Sequence, residues 1–263
     1  MDLKLRGKRA LVTGSTAGIG FAIANGLARE GGEVIVNGRS EARVADAVAR
    51  IAAEDGAPAI GIAADLGTAE GVAQLAEQSG RVDILVNNVG IFEPVPFLDI
   101  DDGAWQRIFE LNVMSGVRLS RAILPGMIER GFGRIIFISS ESGVQTPAEM
   151  VHYGVTKTAQ LALSRGIAES VAGSGVTVNS VLPGPTRSDG VVEFLDKLAR
   201  DQGADVAAFE AEFIRTMRPS SLIQRFAEPE EVANLVVFLA GEGASAITGA
   251  ALRVDGGVVR SIV

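Results

Sequence analysis

The sequence contains no cysteine and a single histidine, and both absences limit its chemistry. Without cysteine, neither disulfide bonds nor thiolate metal sites are possible, which is compatible with a reducing compartment. The one histidine, His152, cannot build a metal site without several carboxylate partners at suitable spacing. We therefore predict that the protein holds no metal.

Basic clusters and long apolar runs are also missing. The 24 lysines and arginines stand against 32 acidic residues, giving a net charge of −8, so we expect no nucleic-acid partner. The first residues, Met1 to Arg9, are charged and lack the apolar core of a signal peptide. The apolar stretches are short and broken by Gly, Asn or charge, so none is long enough to span a bilayer. These observations predict a cytoplasmic protein without membrane contact.

The chain does contain short apolar segments that alternate with helical patterns. The segments typical of buried parallel strands are Ala10–Thr13, Val34–Asn37, Ala59–Ala63, Ile84–Val86, Ile135–Ser139, Val176–Val181 and Ala250–Val254. The helical patterns are Ile19–Glu30, Glu41–Glu54, Ala69–Gln78, Trp105–Arg130, Tyr153–Ala172 and Glu230–Leu239. The alternation predicts a single α/β domain over all 263 residues, a Rossmann-like doubly wound parallel sheet of about seven strands with helices on both faces.

The segment from Pro183 to Pro229 interrupts this alternation, because it has no strand but carries apolar residues at helical spacing. A long insertion of this kind is usually functional, and one interpretation is a lid over the substrate. The other interpretation is a helical hairpin that packs on the body or on a neighbouring subunit. Four arginines of the segment are also candidates for attracting an acidic substrate or carrier, although charged residues in a long loop are usually solvated. They are Arg200, Arg215, Arg218 and Arg225.

A glycine-rich turn, TGSTAGIG, follows the first predicted strand and places Gly14, Gly18 and Gly20 at the opening of a helix. Glycines let a pyrophosphate approach the helix N-terminus, where unpaired N–H groups and the helix dipole favour an anion. The spacing is GxxxGxG rather than the general dinucleotide fingerprint, so the turn alone is also consistent with a tight strand-to-helix connection. Its position favours a dinucleotide site. The other candidate contacts in the turn are Ser15, Thr16 and Ile19.

The residues after the second predicted strand bear on which dinucleotide binds. An acidic side chain there usually accepts hydrogen bonds from the ribose hydroxyls and selects NAD. This chain has Asn37, Gly38, Arg39 and Ser40, with no carboxylate to repel a 2′-phosphate. Arg39 could bind that phosphate through charge-assisted hydrogen bonds, or it could be a solvated surface arginine. We predict NADP(H) as the preferred cofactor and keep NAD(H) as the alternative.

Tyr153 and Lys157 stand four residues apart at the start of a predicted helix, so both project from one face. The pKa of a free tyrosine is about 10, and a nearby ammonium lowers it, which predicts that Tyr153 acts as a general acid or base near neutral pH. Ser140 ends a strand at the carboxyl edge of the sheet, where its hydroxyl could bind the reacting oxygen. An isolated Tyr-x-x-x-Lys pattern is common on helix surfaces, so the prediction depends on neighbouring motifs.

Such motifs run through the whole chain. In order they are TGSTAGIG, Asp65-Leu66, NNVG at Asn87–Gly90, ELNV with Asn112, ISSESG with Ser140, YGVTK, PGPTRS at Pro183–Ser188, PEEVANLVVFLA and ITGAALRVDGG. In this order and approximate spacing the chain resembles the short-chain dehydrogenases/reductases, the 3-oxoacyl-[acyl-carrier-protein] reductases among them. Val89 stands where that family more often has alanine, and Ser188 where threonine is usual. Neither departure removes a chemical function.

The resemblance implies roles residue by residue. Tyr153 would exchange the proton, Ser140 would orient the substrate oxygen, and Lys157 would also bind the nicotinamide ribose. Asn112 would hold a water in the proton relay and so complete a catalytic tetrad. The positions that match cofactor contacts are Asp65 and Leu66 beside the adenine, Asn88 and Gly90 in a loop along the cofactor, and Pro183, Gly184, Thr186 and Ser188 on the nicotinamide side. The family also implies a homotetramer, or a homodimer, formed through the long helices.

Three functions stay open. The first is an NADP(H)-dependent oxidoreductase that moves a hydride between the nicotinamide and a ketone or secondary alcohol, such as a 3-oxoacyl group. The second is an NAD-dependent dehydrogenase of a sugar, polyol or other alcohol, and the third is a non-catalytic dinucleotide-binding module. The presence of all four tetrad residues favours an enzyme. The identity of the substrate and the direction of the reaction do not follow from the sequence.

Overall fold

A computed structural model describes residues 2–53, 58–192 and 206–262. Within these residues, seven strands pair in parallel in the order β3-β2-β1-β4-β5-β6-β7. Their bounds are β1 Arg9–Val12, β2 Glu33–Gly38, β3 Ala59–Ala63, β4 Ile84–Asn87, β5 Gly133–Ile138, β6 Val176–Pro183 and β7 Ala251–Val254. The strand order reverses between β1 and β4, which opens a crevice beyond their carboxyl ends.

Helices cover both faces of this sheet. Their bounds are α1 Gly18–Arg29, α2 Glu41–Ala53, α3 Ala69–Ser79, α4 Asp102–Phe109, α5 Ser115–Glu129, α6 Val151–Ser170, α7 Val206–Met217 and α8 Pro229–Ala240. Successive strand residues point to opposite faces, so Val12 packs with α1, α2 and α8 while Leu11 packs with α3 and α5. Because both faces are buried at the centre of the sheet, strands such as β1 and β4 form continuous apolar runs. The predicted doubly wound α/β fold is confirmed.

The long helix predicted over Trp105–Arg130 is interrupted. A π-helical turn, Glu110–Met114, lies between α4 and α5 and holds Asn112. Such turns insert one extra residue into a helix and often occur at functional sites. The hydrophobic spacing does not reveal a single inserted residue, so the sequence predicted an unbroken helix.

After Pro183, which ends β6, the described part of the 183–229 segment contains no strand of the sheet. Its two ends are joined, since the amide of Arg187 donates to the carbonyl of Ala227 at 2.8 Å and the amide of Ala227 donates to Pro185 at 2.9 Å. Residues 189–192 are helical, and α7 follows later in the segment. Arg200 lies outside the described residues.

None of the helices in the described ranges combines the length and the apolar character needed to cross a membrane.

Candidate active site

A cavity of about 940 Å³ opens at the carboxyl edge of the sheet. Turns and loops that follow β1, β4, β5 and β6 line it, because the carboxyl ends of parallel strands share one edge. The predicted site residues that line the cavity are Gly18, Ile19, Gly20, Asn88, Gly90, Ser140, Tyr153, Lys157, Pro183, Gly184, Thr186 and Ser188. Those outside its lining are Gly14, Ser15, Thr16, Arg39, Asp65, Leu66 and Asn112. The structure thus brings most of the predicted residues into one crevice.

The two ends of the glycine-rich turn pack closely against each other. A side chain on Gly20 would collide with the carbonyl oxygen of Gly14, and Gly18 has a φ of +54°, which disfavours other residues. The α1 helix begins at Gly18, and the residue before it, Ala17, offers no side-chain cap. The first amides of α1 therefore face the cavity as donors for an anion. This geometry fits a dinucleotide pyrophosphate.

One of these amides already has an anionic partner. Asp189, at the start of the helical residues 189–192, accepts a hydrogen bond from the amide of Gly18 at 2.6 Å. The carboxylate occupies the place where the α1 N-terminus would bind a phosphate. Asp189 was not among the predicted site residues, because nothing in its own sequence context indicates a contact with a turn 171 positions away.

The end of β2 has the features expected for an adenosine site without an acidic residue. Asn37 is buried and ties the glycine turn to β3, accepting from the amide of Gly14 at 3.3 Å and donating to the carbonyl of Ile62 at 3.2 Å. A Cβ on Gly38 would lie 2.6 Å from Cγ2 of Thr16. Arg39 is exposed and makes no hydrogen bond or ion pair with any residue in the described ranges. Its guanidinium is therefore available to a ligand.

Ser15, Asp65 and Leu66 make contacts within the protein. Ser15 is buried, and its hydroxyl donates to the carbonyl of Val12 at 2.7 Å, which stabilises the turn. Leu66 is buried in the core that contains α3, whereas Asp65 is exposed and accepts from the amide of Gly67 at 3.0 Å. Contacts from these three residues to a cofactor stay a prediction.

Ser140, Tyr153 and Lys157 converge at the inner end of the cavity. Lys157 is buried on α6, its ammonium donates to the carbonyl of Ile138 at 2.9 Å, and Nζ lies 5.5 Å from the centre of the Tyr153 ring. Burial lowers the pKa of Lys157 to about 8, against the opposing effect of the Glu141 charge. Ser140, Tyr153 and Lys157 thus lie in one cavity, and their catalytic roles stay a prediction.

The electrostatics of Tyr153 differ from the sequence prediction. Burial is the largest cause that raises the pKa of Tyr153 above its ordinary value, and the negative charge of Glu141 raises it further. A hydrogen bond with Ser140 and the positive charge of Arg218 act in the opposite direction but are weaker. The lowered pKa predicted for Tyr153 is wrong, because desolvation and the Glu141 charge outweigh the causes that lower it. The phenol is held in its protonated form at neutral pH.

Asn112 is buried, and its side chain makes structural hydrogen bonds. The side-chain oxygen accepts from the amide of Ile91 at 2.8 Å, while the side-chain nitrogen donates to the carbonyl of Ile91 at 2.9 Å and to the Thr156 hydroxyl at 3.1 Å. Both protons of the amide are thereby used. Asn112 joins the loop after β4 to α6, and its role in holding a water stays a prediction.

A buried ion-pair network was missed by the sequence analysis. The hydroxyl of Ser140 donates to Oε2 of Glu141 at 2.5 Å, and Nε of Arg218 donates to Oε1 of Glu141 at 3.1 Å. Nη1 of Arg218 also lies 3.2 Å from Oε1 of Glu149. Glu141 stands beside Ser140 in the ISSESG motif, which was its only signal. Arg218 is 77 positions away, so no local pattern indicated that the two residues pair.

Of the arginines proposed for an acidic substrate, the three that the structure describes are paired with acidic residues. Arg218 is buried between the two glutamates, so it is not free to attract an anion. Arg215 pairs with Glu212, and Arg225 with Glu231, on the surface. The described part of the chain gives no support to an acidic-substrate patch.

His152 lies in the core between α4 and α6 rather than in the cavity lining. Its ring stands 5.8 Å from Trp105 in an edge-on arrangement, and neither ring nitrogen has a hydrogen-bond partner among the described residues. Burial lowers its pKa, with the Glu93 charge opposing and the Arg107 charge assisting. Across the described ranges, no group of three or more His, Cys, Asp or Glu side chains could hold a metal ion.

Comparison with known proteins identifies the family. The family model for short chain dehydrogenases matches residues 8–199. The oxidoreductase YvaG of Bacillus subtilis (strain 168), itself uncharacterized, is 51% identical over 263 residues, with both chains covered in full. The 3-oxoacyl-[acyl-carrier-protein] reductase FabG of Aquifex aeolicus (strain VF5) is 35% identical, covering 98% of this chain and 100% of its own. The chain belongs to the short-chain dehydrogenase/reductase family, so it is an oxidoreductase that uses a nicotinamide cofactor.

Solved structures agree with this assignment. An L-sorbose reductase from Gluconobacter frateurii, complexed with NADPH and L-sorbose, matches with a TM-score of 0.95 and 36% identity, and both chains are covered in full. A 7α-hydroxysteroid dehydrogenase complexed with NADH matches with a TM-score of 0.85 and 30% identity, covering 100% of this chain and 98% of that one. Because these proteins differ in substrate and in cofactor, membership of the family specifies neither.

Proposed function

We propose that this protein is an NADP(H)-dependent oxidoreductase that transfers a hydride between the nicotinamide and a small ketone or secondary alcohol. The observation that carries the proposal is the convergence of Ser140, Tyr153 and the buried ammonium of Lys157 in the cavity that the glycine turn also lines. A non-catalytic binding module would have no need of this arrangement.

The chemistry follows from the protonation states. The bound nicotinamide would supply the hydride to the carbonyl carbon. Tyr153 is protonated at neutral pH and gives its proton to the carbonyl oxygen, which completes the alcohol. Lys157 stabilises the resulting phenolate electrostatically. In the reverse direction the phenolate takes the proton of the alcohol.

Arg39 and Gly38 support the preference for NADP(H). Arg39 is exposed at the end of β2 and makes no hydrogen bond or ion pair within the described ranges, so it is free to bind a 2′-phosphate. Gly38 leaves this position without a carboxylate that would bind ribose hydroxyls and repel a phosphate. The L-sorbose reductase, which is similar along its whole length, is complexed with NADPH.

Segment 183–229 is proposed to cover the substrate. Apolar side chains from both of its ends, Val191, Phe213 and Phe226, line the cavity and pack in one small cluster. Such a wall suits the carbon chain of a substrate, whereas Glu149 and Arg218 supply polar groups to the same cavity. Two substrate classes follow for testing: 3-oxoacyl thioesters, as in one relative, and polyhydroxylated ketones, as in another.

The first experiment is a fluorescence titration of the purified protein with NADPH and NADH. Tighter binding of NADPH that is lost in Arg39→Ala supports the proposal, and a clear preference for NADH overturns the cofactor assignment. An absorbance screen of ketones and 3-oxoacyl thioesters follows with the tighter cofactor. Tyr153→Phe is expected to bind cofactor normally and to lose nearly all turnover, so retained turnover would refute the role of Tyr153.

A further inference from the structure

Ser140 carries one hydroxyl proton, and Glu141 accepts it. The hydroxyl donates to Oε2 of Glu141 at 2.5 Å, and Ser140 lines the same cavity as Tyr153. A serine hydroxyl has a single donor, so the proton serves one acceptor at a time. The amide of Ser142 donates to the same oxygen at 3.1 Å and uses one of its lone pairs. The share of the proton that reaches Tyr153, or a substrate oxygen, therefore depends on Glu141.

Glu141 is in turn held by Arg218. The Glu141 side chain is 7% exposed and the Arg218 side chain 10%, and a carboxylate so deeply buried requires a compensating charge. Arg218 directly follows α7, so the compensating charge comes from segment 183–229 rather than from the sheet. Its guanidinium also donates to Glu149 at 3.2 Å and to the carbonyl of Met217 at 2.8 Å, which fixes its position.

We propose that Glu141 and Arg218 are a positioning pair, in which Arg218 holds the carboxylate that takes the Ser140 proton and so decides whether that proton is available to Tyr153 or to a substrate oxygen. The catalytic meaning of this pair rests on the proposed function. Because Arg218 belongs to segment 183–229, the pair also makes the catalytic serine depend on the placement of that segment.

The two members of the pair affect Tyr153 with opposite sign. The charge of Glu141 raises the pKa of Tyr153, and the charge of Arg218 lowers it. The other ionisable groups that line the cavity are Lys157, Glu149, Asp189 and Glu212. These groups remain in every variant considered below. Structural damage would move the two variants of the pair in the same direction, whereas the proposed pair moves them apart.

Tyr153 is the single tyrosine of the chain, so its ionisation can be measured without substrate or cofactor. The protein is labelled with ¹³C at the tyrosine ring carbon that bears the hydroxyl, and its resonance is followed by NMR as the pH rises. Circular dichroism defines the range in which each variant stays folded. Tyr153→Phe identifies the signal by removing it.

In Glu141→Gln, Tyr153 is expected to ionise at a pH about one unit or more below that of the wild type, because a buried charge is lost and the Ser140 proton is released to Tyr153. In Arg218→Gln, Tyr153 is expected to stay protonated to at least as high a pH as in the wild type. Arg218→Lys should resemble the wild type because it keeps the charge. Arg215→Gln, which removes an exposed arginine of α7, is the matched control and should not move the resonance.

Ionisation of Tyr153 at a lower pH in Glu141→Gln than in both the wild type and Arg218→Gln supports the pair, and an unchanged or higher pKa of Tyr153 in Glu141→Gln overturns it. If Arg218→Gln does not fold, the comparison of Glu141→Gln with Arg218→Lys still decides. The proposed function fails separately. The expected order of Tyr153 pKa values without turnover of any carbonyl compound would contradict the proposed enzymatic function, whereas turnover without that order would contradict only the positioning pair. Once a substrate is known, the pKa on the basic side of the pH profile of kcat should follow the same order among the variants.

Discussion

At the scale of the residue, burial determines the protonation states on which the chemistry depends. Tyr153 and Lys157 lie together at the inner end of the cavity, and desolvation favours the neutral form of each, raising the pKa of the phenol and lowering that of the amine to about 8. Near neutral pH the phenol is therefore protonated and the amine is mostly charged. This is the combination required to give a proton to a carbonyl oxygen and to stabilise the phenolate left behind.

A single substitution at the end of β2 is expected to reverse the cofactor preference. Gly38→Asp places a carboxylate where it would repel a 2′-phosphate and accept hydrogen bonds from ribose hydroxyls. NADPH binding should weaken at least about tenfold, about 1.4 kcal/mol, while NADH binding is kept or improved. The dissociation constants are measured by fluorescence titration.

Size and charge at position 38 are separated by two controls. Gly38→Asn has the same size without the charge, so equal losses of NADPH affinity in the two variants would contradict the electrostatic explanation. Because the new Cβ would lie 2.6 Å from Cγ2 of Thr16, the substitution is also made in Thr16→Ser, which lacks that methyl group. A reversal seen only in the double variant would identify the clash as the obstacle.

His152 is expected to make the protein less stable as the pH falls through about 6.5. Its pKa is lowered in the folded chain, so below the ordinary value of 6.5 the unfolded chain binds more protons than the folded one. The free energy of unfolding should therefore fall by up to about 1.4 kcal/mol per pH unit from this group, with no contribution above that range. Unfolding in urea is followed by the fluorescence of Trp105, the single tryptophan.

His152→Phe is the control for this effect, since it keeps an aromatic ring against Trp105 and cannot titrate. The difference in unfolding free energy between the two proteins should change between pH 7 and pH 5, about the range in which histidine titrates. A difference that stays constant over this range would mean that His152 does not bind a proton on unfolding.

At the scale of the element, the strands were predictable and the contacts between distant segments were not. Successive strand residues such as Leu11 and Val12 are buried on opposite faces of the sheet, so the strand is apolar at every position. Such short apolar runs are visible in the sequence. The carboxyl ends of parallel strands then bring Ser140 close to the glycine turn without further information. The contact of Glu141 with Arg218 depends instead on how α7 packs, and no local pattern encodes it.

The contact between Asp189 and α1 carries a prediction about cofactor affinity. The carboxylate accepts from the amide of Gly18, so a pyrophosphate must displace it and overcome its negative charge. Asp189→Asn is expected to bind NADPH roughly two- to fivefold more tightly, from an interaction of about 0.3–1 kcal/mol at a helix N-terminus. The gain should shrink as salt is added.

Asp189→Glu serves as the matched control because it keeps the charge. It should bind NADPH no more tightly than the wild type. Weaker binding in Asp189→Asn would show that this side chain assists the cofactor instead of competing with it.

At the scale of the whole molecule, an apolar groove between α5 and α6 is available for association. Val117, Leu124, Leu163 and Ile167 line it, and Ile128 beside them is 43% exposed. We propose that two copies of the chain pair their long helices here, as the family resemblance predicts, within a homotetramer or a homodimer. Contiguous exposed apolar side chains of this kind are typical of protein–protein interaction sites.

Ile128→Glu tests this interface, because a carboxylate buried against the same face of a second copy would be left without a partner. Light scattering after gel filtration should show that this variant forms a smaller species than the wild type, with an unchanged circular dichroism spectrum. Gln78→Glu adds the same charge to the exposed surface of α3 and should leave the mass unaltered. If Ile128→Glu keeps the mass of the wild type, the α5–α6 face is not the interface. If both variants form smaller species than the wild type, the cause is the added negative charge in general, because only Ile128→Glu alters the groove.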